Sequence, residues 1–340
     1  MIIGLTYDLQ EAYLEQGYSL EEVAELDRPD TVNAIEAAIT RLGHECRRIG
    51  HVRELMRAVL AGERWDLVFN ISEGIHGSGR ESLVPALLDH HRIAYTFSDP
   101  LTLALSLHKG HAKCVLRDAG LPTPAFALVS CEADLPAART LPLPLFVKPV
   151  AEGTSRGIGP ESIVRDLADL GPRCLRLVKE LQQSAIVETY LPGRELTVCV
   201  LGTGESARAL GTLEVTLREQ AEPGLYSYAN KERCEELVKY SAPSASDDAV
   251  VAEAERLAVA AWRALGGRDA GRVDLRCDAA GAPQVLELNP LAGLHPTHSD
   301  VPILCTLLGH DYDWLIEQIV ESAAARLALD GRVPSCACWS

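Results

Sequence analysis

At 340 residues, with 47% hydrophobic and 24% charged positions, the chain has the make-up of a globular protein of two or three domains. A formal charge of -16 argues against nucleic acid or an anionic membrane as partner, because both require a basic surface. The start, MIIGLTYD, lacks the basic and apolar regions of a signal peptide, and no apolar run approaches the roughly 20 residues of a membrane span. Ten cysteines without a CxxC pair read as free thiols, so a cytoplasmic location is expected.

In chain order, Ile2 to Thr6 reads as the first strand of a parallel sheet. Residues 8 to 30 then carry eight acids against one arginine, long for a connection. Asp30 or Thr31 can cap the next helix, where Val32, Ile35, Ile39 and Leu42 repeat at helical spacing. A strand around Glu45 to Ile49, a helix Val52 to Leu60 and a strand Trp65 to Ile71 continue an open α/β layer. The loop Ser72 to Arg80 leaves a strand's carboxyl end, where such sheets place ligands, making Glu73, His76, Arg80 and Glu81 candidate contacts. A flexible loop capping the helix Leu83 to Asp89 accounts for these residues equally well.

A helical stretch Leu101 to Ala119 carries Lys109 and Lys113, and Gly120 to Pro124 ends it at a domain boundary. After the strand Leu145 to Lys148, the loop through Gly159 sets Gly, Thr and Ser beside a lysine, able to wrap phosphate with backbone N–H groups. Ile186 to Val198 gives a strand, a turn at Pro192-Gly193 and a second strand, with Glu188 and Glu195 bracketing the turn. A strand at Gly211 to Leu217, a polar region with Tyr226, Tyr228 and Lys231, and a helix Ala249 to Leu265 follow. A final helix, Tyr312 to Leu329, is expected to cover the C-terminal domain, and Cys336-x-Cys338 sits in a frayed tail.

The stretch Arg272 to Asn289 reads as a β-hairpin around Asp278 to Gly281. Side-chain alternation puts Arg272, Asp274 and Arg276 on one face, Val273, Leu275 and Cys277 on the other. On the second strand Glu287 and Asn289 share a face, with Leu286 and Leu288 opposite. A tight turn sets Arg272 across from Glu287 and Asp274 on the diagonal. Two carboxylates and an amide oxygen are hard ligands that suit Mg²⁺, which completes its shell with water and phosphate. A merely solvated charged face is the bland alternative.

Together these pieces resemble the ATP-grasp superfamily and, within it, the D-alanine–D-alanine ligase-like branch, from about Trp65 to Leu308. The resemblance rests on Lys148 to Ser155, on Glu188 to Glu195, and on Gly271-Arg-x-Asp with Glu287-x-Asn289. It implies three α/β domains: a parallel N-terminal one (1–100), and central (101–195) and C-terminal (196–330) α+β ones clamping ATP, with a tail at 331–340. It also implies a carboxylate–amine ligase working through an acylphosphate. Lys109, Lys148 and Lys231 are then the phosphate contacts. Glu188, Tyr190 and Leu191 line adenine, and Glu195 meets the ribose. Asp274, Glu287 and Asn289 are implied to hold two Mg²⁺ ions, with Mn²⁺ able to substitute. Arg272 would steady the negative oxygens of the intermediates, while Thr154 and Ser155 lie in a closing loop; a second lid spans 222–240. Glu73, Arg80, Gly293, Ser299 and Asp300 are the implied substrate contacts. Family members are commonly homodimers through the N-terminal domain.

Departures from the family pattern fall in the substrate pocket. Thr6-Tyr7-Asp8 opens the acidic insertion where a Ser-x-Glu segment is expected; Glu73 and Glu232 stand for a histidine and a tyrosine. Leu291 to Pro296 replaces a Ser-Pro-Gly-Met segment, and Asp300 an apolar residue. The expected function is therefore ATP-dependent joining of amino acids, or of an amino acid to a specialised metabolite, with a cationic or amine-rich substrate. The alternatives are a D-alanine–D-alanine ligase and a non-catalytic ATP-binding module.

Overall fold

The structure, a computed structural model, describes residues 1–217 and 238–329. Lys231, Tyr226, Tyr228 and Glu232 lie outside them, as do most of the 222–240 segment and the tail with Cys336 and Cys338.

Ile2–Thr6 (β1) pairs in parallel with Glu45–Gly50 (β2) on one side and Leu67–Asn70 (β3) on the other. β3 is shorter than the apolar run at 65–71 suggests. The helix Pro29–Arg41 buries Val32, Ile35 and Ile39 against this sheet's core. It starts ahead of the expected cap at Asp30 or Thr31, because Pro29 fits the first turn, where its missing N–H is not needed. The acidic stretch before it is a closed excursion. Its neck is tied by Asp27 N–H to Asp8 O (3.0 Å) and Gln10 N–H to Asp27 O (3.0 Å), and Val23 and Leu26 anchor it inside.

The expected single helix around Lys109 is two, Pro100–Leu107 and Lys109–Asp118. His108 adopts an extended backbone and its ring accepts the His111 N–H, so the chain turns there. That turn puts Lys109 at the start of the second helix, its N–H on Val150 O at 3.0 Å.

Phe126–Val129 (β4), Leu145–Pro149 (β5), Ile163–Val164 (β6) and Ala185–Thr189 (β7) form an antiparallel sheet in the order β4-β7-β5-β6. The helix Leu167–Leu181 lays Leu170, Cys174 and Leu177 on it. Glu195–Leu201 (β8), Arg208–Leu217 (β9), Val238–Ser241 (β10), Ala270–Cys277 (β11) and Pro283–Asn289 (β12) form a second antiparallel sheet, ordered β10-β9-β8-β11-β12. The strands flanking Pro192-Gly193 thus belong to different sheets, and the turn is a crossing between them. Gly193 is needed there, since a Cβ would stand 2.7 Å from the Cys277 backbone oxygen.

The helix Ala249–Leu265 covers the larger sheet, capped by the Asp248 carboxylate and ended by Gly266 at φ 77°. The last helix, Tyr312–Leu329, does not simply cover the C-terminal domain. Leu315, Ile316, Ile319 and Val320 join the same core as Val32, Ile35 and Ile39, so it ties the N-terminal layer to the rest. Asp269, fully buried, secures that junction: it accepts from Phe97 N–H (2.8 Å), Ser322 Oγ (3.1 Å) and Arg326 Nη2 (3.0 Å).

The hairpin faces are as the alternation predicts on β11, but the register differs from the expected one. Arg272 pairs with Asn289 and Asp274 with Glu287, and a bulge lies between Asp274 and Leu275. The bulge inserts Leu286, so Val285 and Leu288 fill the core while Leu286 joins Glu287 on the site face. Among the described residues no helix is long and apolar enough to cross a membrane.

Replacing Asp269 by Asn leaves Arg326 without its buried counter-charge and is expected to destabilise the fold by about 3–5 kcal/mol. Urea unfolding of the variant against wild type measures it, and an unchanged midpoint contradicts the junction role.

Candidate active site

Two cavities lie side by side. The larger, about 350 Å³, runs from the acidic excursion to the start of the helix Asp300–Leu307. The smaller, about 120 Å³, lies between the two antiparallel sheets. Lys109, Glu152, Gly153, Thr154 and Glu287 line both, so the cavities meet at a lysine, an acid and the glycine-rich loop.

In the smaller cavity Glu188 is clamped between Lys113 Nζ (2.8 Å) and Lys148 Nζ (3.0 Å), all three side chains buried. Burial works against the Glu188 charge, but the two lysines outweigh it and hold its pKa low. For Lys148 burial is again the largest influence, and the carboxylates of Glu188, Glu287 and Asp274 overcome it, raising the pKa. For Lys113 burial wins and lowers it to about 8. Glu188 therefore faces the cavity as the counter-ion that fixes Lys148, with its charge already shared. Tyr190, Leu191 and Glu195 line the same cavity, as expected. Arg276 lies 5.4 Å over the Tyr190 ring and 3.3 Å from Glu195. Leu286, brought here by the bulge, completes the apolar wall.

At the junction Lys109 Nζ donates to Glu152 O (2.6 Å) and pairs with Glu287 (3.2 Å). Asp274 accepts from Thr197 Oγ1 (2.9 Å) and from the Asn289 side-chain amide (3.1 Å). The Asn289 amide nitrogen faces Asp274, which leaves its carbonyl oxygen as an acceptor beside two carboxylates. That donor set fits a hard divalent ion such as Mg²⁺. Among the described residues no three His, Cys, Asp or Glu side chains are grouped to hold a metal, so phosphate oxygens and water must complete such a shell. Thr154 and Ser155 take left-handed backbone angles, φ 42° and 60°, unusual for residues with a side chain. The Thr154 hydroxyl is buried without a partner among the described residues. Local strain of about 1–3 kcal/mol at such positions marks a loop held in place by its surroundings.

In the larger cavity Arg272 reaches Asp300 (2.6 Å) and Asp274 (3.2 Å). Ser299 Oγ accepts from His295 N–H (3.0 Å), and Gly293 lies so near that a Cβ would come 2.8 Å from that hydroxyl. Gly293, Ser299, Asp300 and Glu73 all line the cavity. Arg80 does not. It is buried, with its guanidinium on Ala151 O (3.0 Å) and Glu25 (2.6 Å), a strut rather than a substrate contact. His76 is exposed and bonded to the Tyr18 hydroxyl at 2.8 Å, also away from the cavity.

Sequence reasoning missed Lys113, Leu286, Glu25 and Asp27. Lys113 had a signal, four residues after Lys109 and therefore on the same helix face. Glu25 had none within its acidic run. The structure delivers it to the cavity, accepting from the Gly153 N–H, so the excursion supplies an acid where the expected Ser-x-Glu segment is missing.

A glycine-rich loop and buried lysines between two antiparallel sheets, with a parallel domain in front, define the three-domain ATP-grasp fold of a ligase. Residues 115–321 match the family model of the D-ala D-ala ligase C-terminus. The chain is 36% identical to a D-alanine–D-alanine ligase of Bordetella petrii over 79% of either sequence. It superposes on the crystal structure of D-alanine–D-alanine ligase from Bacillus anthracis with a TM-score of 0.74 at 22% identity, covering 97% of this chain and 99% of that one. The complex of that ligase with ATP gives a TM-score of 0.72 at 21% identity, with the same coverage. The chain belongs to the D-alanine–D-alanine ligase family and is an ATP-grasp ligase.

The pKa of Asp27 is pushed up to about 8 by burial and by Asp8 and Asp30. A carboxyl raised in the fold contributes stability that is fully present below its unfolded value of 3.8 and is lost as pH rises through about 8. Asp27→Asn is therefore expected to raise the melting temperature more at pH 9 than at pH 5. Equal gains at both contradict the burial of an unpaired acid.

Proposed function

We propose that the protein joins two molecules of D-alanine at the expense of ATP. The observation that carries the reading is the meeting of the two cavities at Lys109, the 153–154 loop and Glu287, within a family whose curated relatives include D-alanine–D-alanine ligases. The relatives favour this alternative over a specialised-metabolite conjugate. A non-catalytic module falls away with membership of an enzyme family.

In this reading ATP occupies the smaller cavity, its base against Tyr190, Leu191 and Leu286 and its ribose near Glu195. Lys109 and Lys148 neutralise its phosphates, and Glu188 with Lys113 holds Lys148 in place. Asp274, Glu287 and Asn289 hold Mg²⁺, two ions by the family resemblance, which neutralises phosphate charge when bound. A carboxylate oxygen of the first amino acid, in the larger cavity, attacks the terminal phosphorus and ADP leaves. The amine of the second attacks the acyl carbon, inorganic phosphate leaves and the amine loses a proton. Arg272, turned from Asp300 toward the developing oxyanion, stabilises that step. The loop with Thr154 and Ser155 keeps water from the acylphosphate. The sheet memberships of β7 and β8 support the proposed boundary between a central (101–195) and a C-terminal (196–330) domain behind the N-terminal one (1–100).

The deciding assay is Mg²⁺-dependent release of ADP and phosphate with D-alanine alone, with mass spectrometry of the product. D-alanyl-D-alanine is the expected product, and L-alanine should give none. ADP release that needs another amino acid would overturn the D-alanine reading. Arg272→Met is expected to lower kcat about 100-fold, by analogy with the loss of one preorganised donor of about 3 kcal/mol. Glu287→Gln should lower it at least as far and raise the Mg²⁺ concentration needed for half activity.

A further inference from the structure

The acids of the larger cavity fall into two sets. Glu25 is paired with Arg80 (2.6 Å), Glu152 with Arg156 (3.0 Å), Glu287 with Lys109 (3.2 Å) and Asp300 with Arg272 (2.6 Å). Asp27, Glu73 and Glu81 also line the cavity but make no hydrogen bond or ion pair through their carboxylates among the described residues. Glu81 is only 8% exposed and lines the cavity. Ser106 gives a second and separate sign. It stands on the helix Pro100–Leu107, which packs on the turn bearing Glu81, and it lines the same cavity. Its hydroxyl is buried without a partner, although a buried hydroxyl ordinarily finds one.

Charge balance says what belongs there. Arg28, which lines the same cavity, can offset one of these three acids, and a D-alanine zwitterion, with one ammonium and one carboxylate, leaves the remaining excess uncorrected. Like charges drawn together repel, and each also loses hydration; Arg80 and Lys109 act on these acids but are already paired with Glu25 and Glu287. Burial, then the neighbouring Glu81, pushes Glu73 well above the usual carboxylate range against the pull of Arg80, and burial raises Glu81 to about 7 although Arg80 and Lys109 draw it down.

We infer that Asp27, Glu73 and Glu81, with the Ser106 hydroxyl, form a subsite for the cationic side chain of a basic amino acid. The inference rests on the ATP-dependent ligase reading and goes beyond it by naming a basic amino acid as a substrate alongside D-alanine. A side-chain ammonium donates up to three hydrogen bonds, which suits several carboxylates and a hydroxyl arranged around one point. An apolar side chain of the same length would leave all of them unpaired, and such sites reject analogues that lack the polar group.

Calorimetric titration of the full-length protein, saturated with Mg²⁺ and a non-hydrolysable ATP analogue, tests this with D- and L-lysine against D- and L-norleucine. One enantiomer of lysine is expected to bind at least about tenfold more tightly than the matching norleucine. In Glu73→Gln and Glu81→Gln that preference should shrink toward unity. The melting temperatures of both variants should equal or exceed wild type, because each removes an acid, half-buried at Glu73 and buried at Glu81, that makes no ion pair. Equal binding of lysine and norleucine, absence of lysine binding, or a preference that survives in both variants overturns the subsite. ADP release with D-alanine alone, measured on the same preparation, reports on the ligase reading independently. Wild-type protein that turns over D-alanine yet ignores lysine therefore sinks this inference and leaves that reading intact.

Discussion

Asp274 and Glu287 stand directly opposite each other across β11 and β12, on a face where like charges repel. Most of the site's architecture answers that repulsion. Arg272 sits beside Asp274, Lys109 reaches Glu287 from the start of the helix Lys109–Asp118, and the Asn289 amide turns its nitrogen toward Asp274. A divalent ion with phosphate would take over this duty. Under the proposed function, the lysines and arginines paired with these carboxylates would then be free to meet ATP and the developing oxyanion.

The lysines depend on a second balance, deeper in the smaller cavity. A fully buried Lys113 would not stay charged alone, nor would Glu188. Clamped together with Lys148 they form a triad that fixes the Lys148 ammonium in the wall of the cavity. The break at His108 matters here, since it starts a new helix at Lys109 and aims Lys109 and Lys113, one turn apart, at the same cleft. The acidic excursion closes the arrangement from the front, with Glu25 tying Arg80 to the Gly153 backbone. Strained angles at Thr154 and Ser155 are tolerated because both sides of that loop are held.

Much of this was legible in the chain. The faces of β11 followed from alternation, and the lysine–glycine loop and the Glu188 to Glu195 stretch followed from residue types at fixed spacing. The extents of the helices Val52–Leu60, Ala249–Leu265 and Tyr312–Leu329 followed from their apolar periodicity. What misled was pairing. A turn drawn tight set Arg272 against Glu287, whereas the turn pairs Cys277 with Pro283, one residue further on, and the bulge after Asp274 adds one more, which brings Arg272 opposite Asn289 and turns Leu286 into a site residue. Arg80 and His76 had suitable chemistry in a suitable loop, but the half-buried Glu25 and Tyr18 claimed them.

The sequence by itself determined the chemistry available: which strands alternate, which loop can wrap phosphate, and which acids and lysines exist to hold a metal and a nucleotide. Periodicity and local turn chemistry are properties of neighbouring residues, so they survive in one dimension. Tertiary structure decided which of those charges remain unpaired. Glu25 comes 128 residues before Gly153 and meets it; Glu81 and Asp27 meet only in the folded cavity. Whether a buried acid is a strut or a reader depends on the cation beside it, and that neighbour comes from a distant part of the chain.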